Sequence, residues 1–545
     1  MTAEPGIITA EIRNTGNKDC LTPRRKNSPG SFQMSLLKRE KTEKSIVASL
    51  FLIISVLFLY ILFRNLGTSS VINYDEARHG ISAYEMLKTG NWIENTFVYE
   101  KDLWNLKPPL SFWLEAGAMK LFGNTVFAFR FPSALSLLLL FFMVSGFLYK
   151  TYGKASAICF MVLFTAFDDF FFAHLGRSGD ADALYILCYF ASLLCVFRFC
   201  RKNGKKSSLY FGAFFAALAF LTKSFHAASL YLSIVLCLFA GRKQRKTNWK
   251  TLLIAAGWAA VPVLLWAVWR YSYDGLTFLG SMFSTDVTDR VEGYNKDIHT
   301  YLQWMGTIVF YWMPRMFAAV LLSGISVLLL NRKNDGKEKT GDSLFWGISL
   351  ICAFVPFLIS FAKINWYFFP FKVLLCITAA IVFGEALPEA TKIIQSDKGA
   401  MKKSYCCLVM FLWVAVFGYS CLNIVRNVHK ADSLGMDPIQ QALIELPGSE
   451  APEYDGRTCF VMRSDPREGE PENWEQADIL VAELYHDYYC KHGGVPAFLE
   501  TPGAVLYITK DLIPNDESLA ECKQIGENDR YAVFASDAAE TDSGT

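Results

Sequence analysis

The residues best suited to chemistry fall in six short polar clusters set between long apolar runs. The first is Tyr74-Asp75-Glu76-Ala77-Arg78-His79-Gly80. Adjacent carboxylates beside a membrane are costly unless they are used. An outward carboxylate in a cleft takes a proton from an acceptor hydroxyl or orients the acceptor. The plainer reading is a solvated helix N-terminus, where acidic side chains suit the backbone dipole. The second cluster is Asn105-Leu106-Lys107-Pro108-Pro109-Leu110. Its two prolines fix the backbone ahead of an apolar segment. The Lys107 ammonium is then held at an interface where it can meet a phosphate. A lysine snorkelling from a helix end is the common alternative.

The third cluster, Arg177-Ser178-Gly179-Asp180-Ala181-Asp182, opens an apolar run. Helix capping accounts for one of its carboxylates. The pair also admits a divalent metal, which two carboxylates alone do not establish. In the fourth, Leu221-Thr222-Lys223-Ser224-Phe225-His226, Lys223 sits between two apolar runs, where a cation needs a partner or a polar cavity. The fifth spans Asp286 to His299 and contains Arg290. The sixth runs from Ser360 to Pro370 and includes Lys363, Trp366 and Tyr367, whose rings also suit an interfacial aromatic belt. Together these segments hold three acidic groups (Asp75/Glu76, Asp180/Asp182, Asp286/Asp289) and several cations, including Arg78, Lys107, Lys223 and Arg290. A site with cations for a lipid-linked phosphate, carboxylates for sugar or acceptor, and apolar walls for a lipid tail needs this set.

The elements that must position them are membrane spans. Ile46 to Phe63 carries no charge, and about 18 apolar residues suffice to cross a bilayer. Further spans are expected at roughly 133–149, 155–171, 183–200, 208–222, 225–240, 251–270, 316–330, 343–361, 366–385 and 404–425. The segments 109–123 and 301–314 are apolar but interrupted, and read as interfacial or re-entrant. Lys and Arg concentrate in alternate loops, which places those loops and the N-terminus in the cytoplasm and the six clusters outside. Residues 1–44 read as a disordered cytoplasmic tail, 45–425 as the membrane domain with a long first outer loop at 64–132, and 430–545 as a small extracytoplasmic α/β domain. Strands are expected at Thr458–Met462, Ala504–Thr509 and Tyr531–Phe534, and a helix at Gln476–Tyr489. Its three cysteines, Cys459, Cys490 and Cys522, can pair in an oxidising compartment, with one left over.

Composition agrees. Of 545 residues, 52% are hydrophobic and 19% charged, 45 are Phe, and mean hydropathy is +0.25. Soluble domains carry about 25% charged residues, so a soluble enzyme, a disordered scaffold and a fibrous protein are excluded. A net charge of +2 offers no field for nucleic acid. Most of the fourteen cysteines lie in apolar stretches, and no CxxC pair suggests a zinc or redox motif.

The ordered series YDEARHG, LKPPLSFWL, RSGDADAL, AFLTKSF and SFAKINWYFFP resembles bacterial membrane glycosyltransferases related to aminoarabinose transferase and to protein mannosyltransferases, which have the GT-C fold. The resemblance runs from about residue 46 to 385. It implies a polytopic α-helical protein of about 11–13 spans in a bacterial inner membrane. It also implies transfer of a hexose or pentose from a polyprenyl-phosphate donor to a lipid A-like lipid, a glycan or a protein, with no cofactor or catalytic metal. It implies Asp75 as the catalytic carboxylate, with Glu76 beside it and Asp182 as a second acid. Lys107 corresponds to a lysine near that carboxylate, Lys223 and Arg290 to phosphate contacts, and Tyr367 to a motif tyrosine; Arg78, in the first cluster, is taken as a further substrate-binding residue. The family's TKG glycine is Ser224 here, and the last motif is two residues shorter between Lys363 and Tyr367. The rival reading is a flippase for polyprenyl-linked sugars, which predicts inverted repeats with broken helices at the midplane; no such repeat is visible. A sensory or structural protein centred on residues 430–545 is a third.

Overall fold

The computed structural model describes residues 29–241, 247–288, 337–359, 365–396, 399–446, 456–463, 476–513 and 517–536, with isolated positions between them. Two compact units are distinguished, residues 1–51 and 52–545. Helix α1 (Pro29–Phe63) starts well ahead of the apolar run, against the expectation of a disordered tail to residue 44. Ser35 to Lys44 is rich in Leu, Lys, Arg and Glu, which are good helix formers.

The described apolar runs of the membrane domain are helical, because lipid offers no partners for free backbone groups. Seven stretches among the described residues are long and apolar enough to cross a membrane: 41–63, 126–152, 182–200, 206–241, 249–274, 366–395 and 400–445. The chain is a multi-span membrane protein. The expected runs 301–314 and 316–330 lie outside the described residues. The segment at 109–123 becomes α3 (Leu110–Phe122), whose 13 residues extend only about 20 Å against a core of about 30 Å. Helix α5 (Lys154–Thr165) stops short of its expected end, because Asp168 and Asp169 break the apolar run before α6 (Asp169–Phe172).

The stretch 206–241 is a hairpin. Helix α8 (Lys206–Lys223) ends where Lys223 meets Asp182, the first residue of α7 (Asp182–Cys200). After a 3₁₀ turn at Ser224–Ala227, α9 (Ala228–Gly241) ends with Gly241 against Cys200, at the opposite end of α7. Tyr152 at the end of α4 (Val126–Tyr152) hydrogen-bonds Asp342, and Arg201 pairs with the same carboxylate at 3.5 Å. The ends near 152, 201, 241 and 342 therefore gather on one side, as the basic loops require. Asp75, Lys107, Asp182 and Lys223 gather on the other.

On that second side, α2 (Asp75–Thr89), a two-residue hairpin pair β1 (Thr96–Phe97) and β2 (Glu100–Lys101), and α3 make up the long loop expected outside, here called the outer loop. The C-terminal part forms a five-stranded sheet in the order β4-β3-β5-β7-β6: β3 (Thr458–Met462), β4 (Tyr489–Cys490), β5 (Val505–Thr509), β6 (Lys523–Glu527) and β7 (Tyr531–Ala535). Strands β4, β3 and β5 run parallel, and β7 is antiparallel to β5 and β6. Side chains alternate across a sheet with period two. Cys459, Val461, Val505, Tyr507, Tyr531 and Val533 face one core, and Phe460, Leu506, Ile508, Ala532 and Phe534 face another. The first of these cores is shared with the outer loop: Ala77, Ile81, Tyr84, Phe97, Phe112 and Phe129 pack in one cluster with Leu443, Leu480, Leu484 and Tyr488. Gly80 of α2 lies so close to Leu480 that a side chain there would collide.

Candidate active site

Asp75 is the first residue of α2, and the preceding Tyr74 has φ 69°, an uncommon conformation outside glycine. The Asp75 carboxylate is 27% exposed and faces a cavity of ≈ 340 Å³. Asp75, Lys107, Asp180, Asp182, Lys223 and Tyr367 all line this space, with Asn105, Ser224, His226, Asp286, Trp104 and Trp366 between them. Residues far apart in sequence thus reach one volume, as a shared site needs.

Lys107 is aimed by its loop. Asn95 donates its side-chain amide to the carbonyls of Asn105 (2.6 Å) and Lys107 (3.0 Å), and the Pro108-Pro109 step launches α3. Its ammonium lies 2.8 Å from an Asp180 oxygen and 3.6 Å from Asp75. Burial opposes its charge, but the Asp180 and Asp75 carboxylates hold the Lys107 pKa above its ordinary value. Burial likewise penalises ionised Asp180, yet Lys107 and the His174 hydrogen bond hold its carboxyl well below the usual range. The His174 Nδ1 lies 3.4 Å from Asp180 and 3.9 Å from Asp75, and its ring stacks on Trp366 at 4.0 Å. Asp180 also accepts the Ala181 N–H at 2.6 Å, so it serves both as local turn former and as the link between Lys107 and His174.

Asp182 pairs with Lys223, two buried charges from α7 and α8. The Lys223 ammonium stands 5.5 Å over the Tyr367 ring, whose edge meets His226 at 4.9 Å. Tyr367 therefore reaches the cavity despite the shortened motif. Ser224 has φ 44°, a conformation glycine takes freely, and its hydroxyl bonds Asp286. That hydrogen bond offsets strain where the resembling family has glycine. Arg290 and Lys363 lie outside the described residues.

Two expectations need correction. Glu76 is not in the cavity. It is fully buried, and Arg130 grips it bidentately at 2.7 and 3.0 Å. It also accepts the Gly179 N–H at 2.9 Å and the Ile72 N–H at 2.8 Å. Helical geometry turns Glu76 some 100° from Asp75, so neighbours in sequence face different surroundings. Arg78 also lies off the cavity wall. Its guanidinium bonds Asp102 at 3.3 Å and stacks over Phe97 and Trp104. Asp102 in turn accepts the N–H groups of Trp104 (2.7 Å) and Asn105 (3.3 Å), shaping the turn that presents Lys107. His174 and Asp102 were not singled out from the sequence. Only the titratable character of His174 six residues before Asp180 signalled it.

Asp75, His174 and Asp180 offer ligand atoms within 4.8 Å of one another, a spacing a divalent ion can use. The Lys107 ammonium already supplies a cation to both carboxylates, which weakens the case for a metal there.

A family model described as dolichyl-phosphate-mannose-protein mannosyltransferase matches residues 106–266, a segment that includes Lys107, Asp180, Asp182 and Lys223. The chain is 27% identical over 232 residues to an undecaprenyl phosphate-alpha-4-amino-4-deoxy-L-arabinose arabinosyl transferase of Shewanella sediminis, covering 40% of each protein. A transferase of the same description from Pseudomonas fluorescens is 25% identical over 351 residues, 62% of this chain and 60% of the relative. The chain therefore matches less than two thirds of the length of these relatives. The crystal structure of ArnT from Cupriavidus metallidurans bound to undecaprenyl phosphate superposes with TM-score 0.61 at 15% identity, over 89% of this chain and 97% of that one. The chain has the GT-C fold, and its sequence is similar to those of the aminoarabinose transferases.

Proposed function

We propose that this GT-C-fold chain moves a sugar from a polyprenyl-phosphate donor to a lipid A-like lipid, a glycan or a protein at the outer face of a bacterial inner membrane. The main support is the convergence of Asp75, Lys107, Asp180, Asp182, Lys223 and Tyr367 on one cavity at a single end of the helices. A flippase would need its polar groups near the midplane. The ArnT relative binds undecaprenyl phosphate, which agrees with such a donor. A second, apolar groove of ≈ 450 Å³, bordered by Phe220, Phe225, Tyr231, Val263 and Leu264, suits an isoprenoid tail, and its Phe225 lies between Ser224 and His226 of the first cavity. In this assignment the N-terminus is cytoplasmic, and residues 430–545 form the extracytoplasmic domain.

In the reaction, an acceptor oxygen attacks the anomeric carbon, and the bond to the phosphate oxygen breaks with its electron pair. Lys107 and Lys223 sit where negative charge builds on the departing phosphate, and Arg290 is assigned to the same task. Fixed cations in a partly dry site stabilise such charge without reorganisation. Asp75, the most open carboxylate of the Asp75/Asp180/Asp182 group, takes the proton of an acceptor hydroxyl. For an acceptor that is itself a phosphate it orients the nucleophile instead. Direct displacement inverts the anomeric centre. Asp180 and Asp182 hold Lys107 and Lys223 in place, with His174 bracing the Asp75–Asp180 pair.

Asp75→Asn in membranes supplied with donor lipid tests this directly. General-base loss costs about 10²–10⁴-fold, and sugar transfer is expected to fall by at least the lower figure. Undiminished transfer would remove Asp75 from the chemistry.

A further inference from the structure

Three cysteines of the C-terminal part leave three possible pairings, and the sheet register chooses one. We infer that Cys459 and Cys490 are a disulfide in the mature protein, while Cys522 stays a thiol. Cys459 of β3 stands directly opposite Cys490 of β4. Neighbouring strands lie about 4.7–4.9 Å apart, inside the 4.4–6.8 Å between Cα atoms that a disulfide spans. Opposed residues share a face, and both cysteines are buried in the same core. Cys522 packs against the core on the other face of the sheet. The Cys490 thiol interacts with Cys459 itself, and the other sulfur contacts are long: Cys459 is 3.7 Å from the Phe460 carbonyl, and Cys490 is 4.0 Å from that of Ile479.

The bond has mechanical work to do. Strand β4 has two residues and sits at the sheet edge, tied to β3 by the backbone bonds Tyr489 N–H to Arg457 (2.9 Å) and Lys491 N–H to Cys459 (2.9 Å). The outer loop rests on this strip: Tyr99 meets Tyr489 at 4.9 Å, Phe97 meets His492 at 5.5 Å, and Lys88 lies over the Tyr489 ring at 5.4 Å. Phe97 and Tyr99 belong to the hairpin that leads into the Asp102–Asn105 turn and Lys107. A Cys459–Cys490 bond staples the support of the loop that carries a site cation.

In the oxidation, the two thiols give up two protons and two electrons. These pass to the disulfide of a thiol–disulfide exchange protein, which leaves as a dithiol. Burial pushes the Cys490 thiol up, so exchange takes place while the strands assemble, before the core closes over them. The inference rests on the outward placement of residues 430–545 and not on the transferase reading.

The test uses full-length protein in membranes. Free thiols are blocked with N-ethylmaleimide under denaturing conditions, and the unreduced digest is examined by mass spectrometry. The expected product is one linked peptide pair containing Cys459 and Cys490, with Cys522 alkylated. A bond through Cys522, or alkylation of both Cys459 and Cys490, overturns the inference. Protease treatment of sealed spheroplasts separates the causes. A protected C-terminal part defeats it through the compartment, and a cleaved part with free thiols defeats it through the chemistry. The Cys459→Ala/Cys490→Ala variant is expected to unfold several degrees lower than wild type, and to lose the wild-type Tm drop on adding reductant. Neither measurement depends on sugar transfer.

Discussion

Asp75 and Glu76 are adjacent and chemically alike, yet only Asp75 opens to the cavity. The Glu76–Arg130 pair is completely buried and ties together the chain at 66–72, helix α4 and the Gly179 turn. Removing one partner of a buried pair strands the other charge, at a cost of about 3–5 kcal/mol. Glu76→Gln should therefore lower the unfolding temperature in detergent markedly, while Asp75→Asn leaves it nearly unchanged and removes transfer. A Glu76→Gln protein of normal stability and no activity would reverse these roles. Lys223 was legible from sequence because a cation between apolar runs needs a reason, and Lys107 because two prolines fix the backbone beside it. Glu76 was not, since its helical neighbour points elsewhere and its partner Arg130 lies 54 positions away.

The turn between α6 and α7 packs its glycines, Gly176 and Gly179, tightly against neighbouring side chains. Gly179 donates its N–H to Glu76, and the Phe129 ring lies where a side chain would begin. Gly179→Ala must push the turn or the ring away, and Asp180 follows the turn. Transfer is expected to drop at least about tenfold, since small displacements of positioned groups cost large rate factors, and thermal unfolding should show a parallel loss. Retained activity with a normal unfolding temperature would show that the turn tolerates the shift. The same scale explains what pattern reading finds and misses. Strands β3, β5 and β7 carry apolar runs and were expected. Strand β4 has only two residues, and β6 is a largely exposed edge, Lys523–Glu527, without an apolar run. The helix expected to reach Tyr489 ends at His486, and Tyr489 leaves it to enter β4.

At the scale of the molecule, the C-terminal sheet and the outer loop share a core, with two carboxyls buried between them. Glu85 of α2 and Glu483 of helix Gln476–His486 are both shifted upward, first by burial, and the Glu85 charge raises Glu483 further. Asp102 adds to the rise at Glu85, and Lys88 opposes that at Glu483. The Glu85 pKa is raised to about 7, against 4.5 for the free side chain. The folded state thus keeps a proton that the unfolded state loses. Stability from this carboxyl is complete below about pH 4.5 and is lost as pH rises to about 7. Hydrogen exchange in residues 84–99 and 476–490 should quicken between pH 5 and 8 beyond the intrinsic rate, and Glu85→Gln should flatten that dependence. An equally steep profile in the variant would discount Glu85.

Sequence by itself pointed to the long apolar helices seen among the described residues and to many of the residues that line the cavity. Those follow from local costs: a bilayer demands unbroken apolar length, and a charge near it demands a partner. Only the tertiary structure decided who partners whom. It sent Glu76 into the interior, made Asp180 the bridge between Lys107 and His174, recruited Asp102 to shape the Lys107 loop, and set Cys459 against Cys490. Each of these joins segments far apart in the chain, and their proximity depends on how helices and strands pack, which local residue preferences do not encode.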